Sequence, residues 1–351
     1  MRRLIVALAL ACLVCGACSE SPREAKPRVT VYMYSEYIDP ELPKEFERQT
    51  GLPVQIDVYE NTEEMMAKLQ TAGGASQYDV VVVSDHAIPV LAKLGLLQPL
   101  DAAEIPNAKN VDAQFANPPY DPGNKFSLPY QWGTVGLMYR KDKVAQAELS
   151  WALMLDPEKQ PGPFVLIDSM RDMLGVGLKW LGHSVNSRKP EELKAAGEAI
   201  LKAKKSAKCL GFEGGVGGKN KVADASAALA IVYSGDAIKA CGEDGHLAYA
   251  LPKEGSIVWV DAMTVPAKAP NAEGGHKFIN FILDARVGAR LSDFNRYATP
   301  NAASLPLIQK EDRESPAIYP AAAEVKKLEY IEDVGEATRL YDEVWTAVKA
   351  R

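Results

Sequence analysis

The sequence predicts an α/β fold in two lobes, each with a mainly parallel sheet flanked by helices. Short apolar strands alternate with helices at the spacing of βαβ units, which join neighbouring parallel strands. The chain has 351 residues, more than one hydrophobic core usually fills, so two lobes are expected. Its composition, 47% hydrophobic and 25% charged, is that of an ordinary globular protein.

The chain opens with the pattern of a bacterial export signal. Two arginines precede an apolar run over 4–14, and small residues then lead to Cys18. This run is too short to be a structured membrane-spanning helix. We interpret 1–17 as a signal peptide and 19–27 as a tether. The segment before Cys18 resembles a lipobox, so Cys18 is either the lipidated mature N-terminus or lies near an ordinary cleavage site. Both alternatives export the chain to the periplasm.

Local patterns then predict the first α/β units. Alternating apolar residues indicate strands, Asp39 and Asn61 can cap helix N-termini, and glycines can end helices. In order, we predict strand 29–34, a helix between Asp39 and Gly51, strand 54–59, a helix from Asn61 to Gly73, strand 80–83 and a helix ending at Gly95. Turns 34–37 and 84–86 follow strands, at the sheet edge where open α/β folds bind ligands.

A second α/β pattern follows a connecting segment. An extended stretch over 129–135 leads through 142–156 into this region. We predict strand 164–167, an apolar helix through 174–181, a surface helix over 189–205, a loop with five glycines over 211–218, strand 228–233, strand 257–261 and helix 274–283. We find no internal repeat and no low-complexity tract.

Charge and motifs argue against several classes of function. The net charge of -6 argues against nucleic acid as a partner, because phosphate binding requires a basic surface. The four histidines belong to no HExxH motif, and no GxSxG or GxGxxG motif is present. The loop over 213–220 lacks the first glycine and the hydroxyl residue of a phosphate-binding loop. We therefore predict a protein without enzymatic activity, cofactor or metal.

Carboxylates recur beside aromatic residues at predicted strand ends. The three examples are Glu36 between Ser35 and Tyr37, Asp236 three residues after Tyr233, and Asp261 two residues after Trp259. A linear diammonium ligand requires this combination, because each ammonium group offers three donors to charged acceptors. Aromatic faces attract the cation and cover the methylene chain between the two ammonium groups.

Short segments of this chain resemble the bacterial spermidine/putrescine-binding periplasmic proteins. In order along 29–349, the matching segments are 32–38, 47–51, 78–82, 129–133, 252–255 and 299–301. The resemblance implies a type II periplasmic binding protein, whose two lobes close on a ligand in the cleft between them. It also implies lobe 1 over 28–133 and 260–300, and lobe 2 over 136–256 and 304–351.

The same resemblance implies a set of ligand-binding residues. Matched residue by residue, they are Tyr34, Ser35, Glu36, Tyr37, Ser84, His86, Asp172, Tyr233, Asp236, Trp259, Asp261 and Tyr297. Tyr34 and Tyr233 stand where the family usually has tryptophan. Gly214 and Ile331 fall near a serine and a glutamine of spermidine-preferring members, whereas Asp236 matches putrescine-preferring members. The departures therefore favour putrescine over spermidine.

The resemblance implies the substrate-binding component of an ABC importer for polyamines. It would deliver putrescine or spermidine to a membrane permease, and its own membrane contact would be limited to a lipid at Cys18. Our hypothesis is that Glu36 and Asp261 hold one ammonium group, and Asp172 and Asp236 the other. One alternative is the same receptor fold for a different small cationic or polar solute, such as an amino-acid-derived amine, a sugar or ferric ion. A second alternative is a secreted hydrolase.

Two cysteines remain in the folded body, Cys209 and Cys241. In an oxidising compartment they either form one disulfide or stay as two free thiols. No CxxC pair occurs in the body, and we therefore predict no zinc site.

Overall fold

Ten strands form one continuous sheet in the computed structural model, which describes residues 27–144 and 149–351. The strands are β1 (Val29–Tyr34), β2 (Val54–Tyr59), β3 (Val80–Ser84), β4 (Ser127–Arg140), β5 (Phe164–Ile167), β6 (Cys209–Glu213), β7 (Leu229–Tyr233), β8 (Leu247–Ala250), β9 (Ser256–Thr264) and β10 (Leu328–Tyr330). The predicted signal peptide, Cys18 and the tether up to residue 26 lie outside these ranges.

Helices cover the faces of the sheet. They are α1 (Glu41–Thr50), α2 (Thr62–Gln70), α3 (Ile88–Lys93), α4 (Ala152–Leu155), α5 (Met170–Trp180), α6 (Pro190–Lys204), α7 (Gly217–Ala223), α8 (Ser234–Glu243), α9 (Ala272–Ile282), α10 (Ala285–Asn295), α11 (Lys310–Arg313), α12 (Ala322–Val325) and α13 (Thr338–Ala350). Across 27–144 and 149–351, none of them combines the length and apolar character needed to cross a bilayer.

The strand order divides the sheet into two lobes joined by two long strands. The order is β2-β1-β3-β9-β4-β7-β5-β6, with β8 beside β4 and β10 beside β9. β1 is parallel to β2 and β3 in the first lobe, and β5 is parallel to β6 and β7 in the second. β4 and β9 run antiparallel to each other over 127–134 and 258–264, so one strand carries the chain between the lobes and the other carries it back.

Local sequence signals place several helix ends where they were predicted. Asp39 Oδ1 accepts the Glu41 N–H at 2.9 Å at the start of α1. The helix ends at Gly51, whose φ of 73° is left-handed and suits a residue without a side chain. Asn61 caps α2 by accepting the Glu64 N–H at 2.9 Å. These caps fix where the chain leaves β1 and β2, whose ends face the cleft.

Two features differ from the prediction, and the state of the two cysteines, which the prediction left open, is defined. The predicted glycine loop over 211–218 begins inside β6 and ends inside α7. Its five glycines indicated a loop in the sequence, although its two ends belong to a short strand and a short helix. The extended stretch 129–135 and the predicted strand 257–261 belong to the longer, antiparallel β4 and β9. The possible disulfide is not formed, since Cys209 and Cys241 are both free. Cys209 packs on the main core, whereas Cys241 packs on a separate cluster beside α8.

Candidate ligand-binding site

A cavity of about 50 Å³ lies between the lobes, at the ends of the strands that face the cleft. It brings together eleven of the twelve predicted binding residues, namely Tyr34, Ser35, Tyr37, Ser84, His86, Asp172, Tyr233, Asp236, Trp259, Asp261 and Tyr297. Four further residues complete the lining: Thr62, Gly215, Val216 and Ile331. The predicted residues are far apart in sequence, and the sheet order is what assembles them.

Glu36 is the predicted site residue that does not line the cavity. Its side chain is 51% exposed, and its carboxylate lies 3.0 Å from the Lys219 ammonium of α7. The structure therefore places the Glu36 side chain beside the second lobe and outside the cavity lining. The carboxylate that was expected to hold a ligand ammonium group is paired here with a lysine of the second lobe.

Asp261 is a buried carboxylate held by hydroxyl groups of the first lobe. β9 pairs with β3 in a register that sets Asp261 opposite Ser84. Oδ1 of Asp261 accepts the Ser84 hydroxyl at 2.8 Å, and Oδ2 accepts the Tyr37 hydroxyl at 2.9 Å. Ser84 also lies 2.9 Å from the Tyr34 hydroxyl, which lies 3.0 Å from Thr62. Because Ser84 has one proton and gives it to Asp261, Tyr34 donates to Ser84 and accepts from Thr62.

Two carboxylates of the second lobe are held by tyrosines in the same way. Oδ2 of Asp172, on the first turn of α5, accepts the Tyr233 hydroxyl at 2.8 Å. Oδ2 of Asp236, on the first turn of α8, accepts the Tyr297 hydroxyl at 2.9 Å. The helix N-termini favour both negative charges.

An aromatic row connects these two carboxylates. The Trp259 ring centroid lies 5.8 Å from that of Tyr233 and 5.2 Å from that of Tyr297, and both contacts are edge-to-face. Tyr233 holds Asp172 and Tyr297 holds Asp236. Asp172 and Asp236 are therefore hydrogen-bonded to the tyrosines at opposite ends of this row of three rings.

Burial raises the pKa of each of these carboxyl groups. The pKa of Asp261 rises to about 7 and that of Asp236 to about 6, because burial penalises the charged form more than the hydroxyl donors stabilise it. Burial also raises the pKa of Asp172. The pKa values of Tyr37, Tyr233 and Tyr297 are raised far above the ordinary value, again mainly by burial, so these hydroxyls remain neutral donors.

Further charged groups surround the first-lobe side of the cavity. His86 lines the cavity, and its Nδ1 lies 3.4 Å from Oδ1 of Asp85. Glu63, at the start of α2, accepts the Met170 N–H of the second lobe at 3.2 Å, and burial raises the pKa of Glu63. Within the described residues, no group of three or more acidic, histidine or cysteine side chains is arranged to hold a metal ion.

The family model for bacterial extracellular solute-binding proteins matches residues 41–321. The match covers most of both lobes and includes most of the residues that line the cavity. The chain belongs to this family. Members of this family are receptors that bind solutes outside the cell.

Relatives with assigned ligands cover nearly the whole chain. A spermidine/putrescine-binding periplasmic protein of Salmonella typhimurium is 33% identical over 333 residues, 94% of this chain and 94% of its own length. A putrescine-binding periplasmic protein of Pseudomonas aeruginosa is 34% identical over 368 residues, 99% and 98% of the two chains. A solved structure from Listeria monocytogenes, assigned to a spermidine/putrescine ABC transporter, has a TM-score of 0.84 at 33% identity and covers 92% and 98% of the two chains. The two-lobed architecture of this chain is therefore that of the ABC substrate-binding proteins.

Sequence reasoning missed three residues at or beside the site, and two of them have their partners in the opposite lobe. Thr62 could have been suspected, because it follows the helix cap Asn61 at a strand end that faces the cleft. Lys219 and Glu63 carried no comparable signal, since a lysine or a glutamate near a helix N-terminus is common on protein surfaces. Only the contact between the lobes gives these two side chains their partners.

Proposed function

We propose that the chain is the substrate-binding component of a bacterial polyamine ABC importer and that putrescine is its ligand. One observation carries the proposal: three carboxylates, Asp172, Asp236 and Asp261, each accept a tyrosine hydroxyl around one row of aromatic rings. A slender dication satisfies both parts of this site. Its ammonium groups bind the carboxylates, and its methylenes lie against the rings.

The energetics of such a complex are sufficient for a transport receptor. Four buried methylenes contribute on the order of 3 kcal/mol, and each cation–π contact adds about 0.5–2 kcal/mol. Charge-assisted hydrogen bonds from two ammonium groups add further stabilisation. Micromolar affinity requires about 8 kcal/mol net, so a few such contacts exceed the ordering costs.

The positions of the carboxylates support a revised arrangement of the two ammonium groups. Asp172 of the second lobe and Asp261 of β9 line the same cavity, so we place one ammonium group between these two carboxylates. Asp236 lies at the far end of the aromatic row and receives the other. Glu36 is paired with a lysine of the chain and is not assigned to the ligand.

Ligand binding would link the two lobes. Asp261 lies where β9 pairs with β3 of the first lobe, whereas Asp172 and Asp236 lie on helices of the second. A dication held by both sets favours the closed arrangement, because it relieves the repulsion among buried carboxylates. The predicted lobe boundaries receive support from β4, which pairs with β9 up to residue 134 and with β7 from residue 135.

The closed receptor would dock on membrane permease subunits and catalyse no reaction. The chain would work in the periplasm, where the named relatives from Salmonella and Pseudomonas act. The segment 1–17 would direct export, and a lipid on Cys18 would be the membrane contact. Mass spectrometry of the exported protein tests this point, since the lipidated form begins at Cys18 with the mass of attached acyl chains.

Calorimetric titration with putrescine tests the proposed ligand. Wild-type protein should bind one putrescine per chain, and combined Asp172→Asn and Asp261→Asn substitutions should weaken binding by about tenfold or more, because an ammonium group loses both charged acceptors. Glu198→Gln with Glu343→Gln is the matched control, since it removes two carboxylates that are 68% and 58% exposed. Equal affinity in the site and control variants would contradict the arrangement.

A further inference from the structure

A lysine of the second lobe forms an ion pair with Glu36 across the cleft. The Lys219 ammonium, on α7, lies 3.0 Å from Oε2 of Glu36, in the turn after β1. The lysine side chain is 12% exposed and the glutamate 51%, so the cation is the more enclosed member of the pair. An enclosed cation needs its carboxylate partner, because a buried charge without a counterion is unfavourable.

The ion pair lies where the lobes meet at one end of the cavity. Ser35, beside Glu36, and Gly215, just before α7, both line the cavity. The Ser35 hydroxyl donates to Oε2 of Glu60 at 3.2 Å, and a Cβ atom on Gly215 would collide with the same carboxylate. The two lobes therefore contact each other at this end of the cavity. The Lys219–Glu36 ion pair is a further contact between the lobes there.

Asp236 lines the same cavity as Ser35 and Gly215, which lie beside this ion pair. The charge of Lys219 lowers the pKa of Asp236, whereas that of Glu36 raises it, so the three groups share one region. A ligand that extended past Asp236 would bring a further ammonium group toward Lys219. Two ammonium groups repel each other and compete for the same acceptor, because neither can accept a hydrogen bond.

We propose that Lys219 sets the length and charge of the ligand by acting as a fixed ammonium group of the protein. It occupies Glu36, which a third ammonium group of a triamine would otherwise use. The cavity then selects diamines over longer triamines. This inference rests on the proposed polyamine function and adds to it the residue that discriminates between members of the ligand class.

Calorimetry with putrescine and spermidine tests the role of Lys219. In Lys219→Ala, Glu36 becomes available, and spermidine affinity relative to putrescine affinity should rise by about tenfold or more. Adding Glu36→Gln to Lys219→Ala should remove this gain, since the gain requires the freed carboxylate. Lys221→Ala is the matched control, because Lys221 lies on the same helix and pairs with Glu213 of its own lobe at 3.2 Å. It should leave the ratio unchanged.

Two results would overturn the inference, and they are distinguishable. If Lys219 serves only to hold the lobes together, Lys219→Ala weakens both ligands equally, the ratio stays constant, and the proposed function stands. If wild-type protein binds neither amine, the proposed polyamine function is wrong, and so is the proposed role of Lys219.

Lys219→Met separates the effect of charge from the effect of space, because methionine keeps most of the side-chain volume. This variant should also raise spermidine affinity relative to putrescine affinity if the charge of Lys219 decides.

Discussion

The carboxyl group of Asp261 has two hydroxyl donors, and both affect its proton affinity. Ser84 and Tyr37 stabilise the charged form, while burial opposes it and leaves the pKa at about 7. A pKa in this range makes the charge of the site sensitive to small changes in its surroundings. Ser84 is therefore a positioning residue whose effect should be visible in the pH dependence of ligand binding.

Removing the Ser84 hydroxyl should shift this pH dependence upward. In Ser84→Ala, the charged form of Asp261 loses one hydrogen bond worth about 1.5–3 kcal/mol, so its pKa rises further. Putrescine affinity, measured by calorimetry from pH 6 to pH 10, should then reach its plateau about one to two pH units higher than in wild type. In an Asp261→Asn background, Ser84→Ala should produce no such shift. An unchanged profile in the single variant would contradict this coupling.

At this scale, the sequence pattern and the family resemblance together predicted most of the residues that line the cavity. Tyr37 follows β1, as the strand pattern predicts, whereas Trp259 and Asp261 lie within β9, which is longer than predicted. Glu36 also follows the end of β1, but its side chain does not line the cavity. Its partner Lys219 lies 183 residues further along the chain, and no local pattern indicates which charges will meet when two lobes close.

A glycine lets α8 approach the aromatic row closely. Gly235, on the first turn of α8, packs against the ring of Tyr297, and a Cβ atom there would lie 2.5 Å from the ring carbons. Gly242, in the last turn of the same helix, has no atom within 4 Å of the equivalent position. The first glycine therefore sets the distance between the helix and the aromatic row, whereas the second has no such role.

Two alanine substitutions in α8 should have opposite effects. Gly235→Ala should lower the free energy of unfolding by about 1–3 kcal/mol and weaken putrescine binding, because Tyr297 must move away from Asp236. Gly242→Ala should raise the free energy of unfolding by about 0.5–1 kcal/mol without affecting putrescine binding. Chemical denaturation and calorimetry measure the two quantities. Similar stabilities for the two variants would show that the predicted contact with Tyr297 is not present in solution.

Elements with strong local signals were predicted well, and those defined by distant partners were not. β3 is an unbroken valine run, and its burial throughout agrees with the predicted parallel strand. β6 contains a glycine, and its residues are only half-buried, so it has no clear apolar alternation. β10 has three residues and is a strand only because β9 lies beside it. A strand of that kind cannot be recognised until its neighbour is known.

At the scale of the whole molecule, the ligand site lowers stability in the absence of ligand. Folding buries Asp261 and raises its pKa from 3.8 to about 7, so the folded state binds its proton more tightly than the unfolded state. The stability linked to this proton is fully present below about pH 4 and is lost as the pH rises through about 7. A charged Asp261 therefore costs stability at high pH, on the order of 4 kcal/mol, unless a cation compensates it.

Asp261→Asn should make the ligand-free protein more stable at high pH but not at low pH. At pH 8 the variant should melt several degrees higher than wild type, because it does not bury a charge. As the pH falls through about 7 toward 4, wild-type Asp261 becomes protonated, and the difference in melting temperature should shrink toward zero. Asp172 and Asp236 titrate in both proteins, so their contributions largely cancel in the comparison. Saturating putrescine should reverse the order at pH 8, because only wild type keeps the full set of acceptors. A melting difference that stays constant with pH would show that the substitution acts through packing and not through the buried charge.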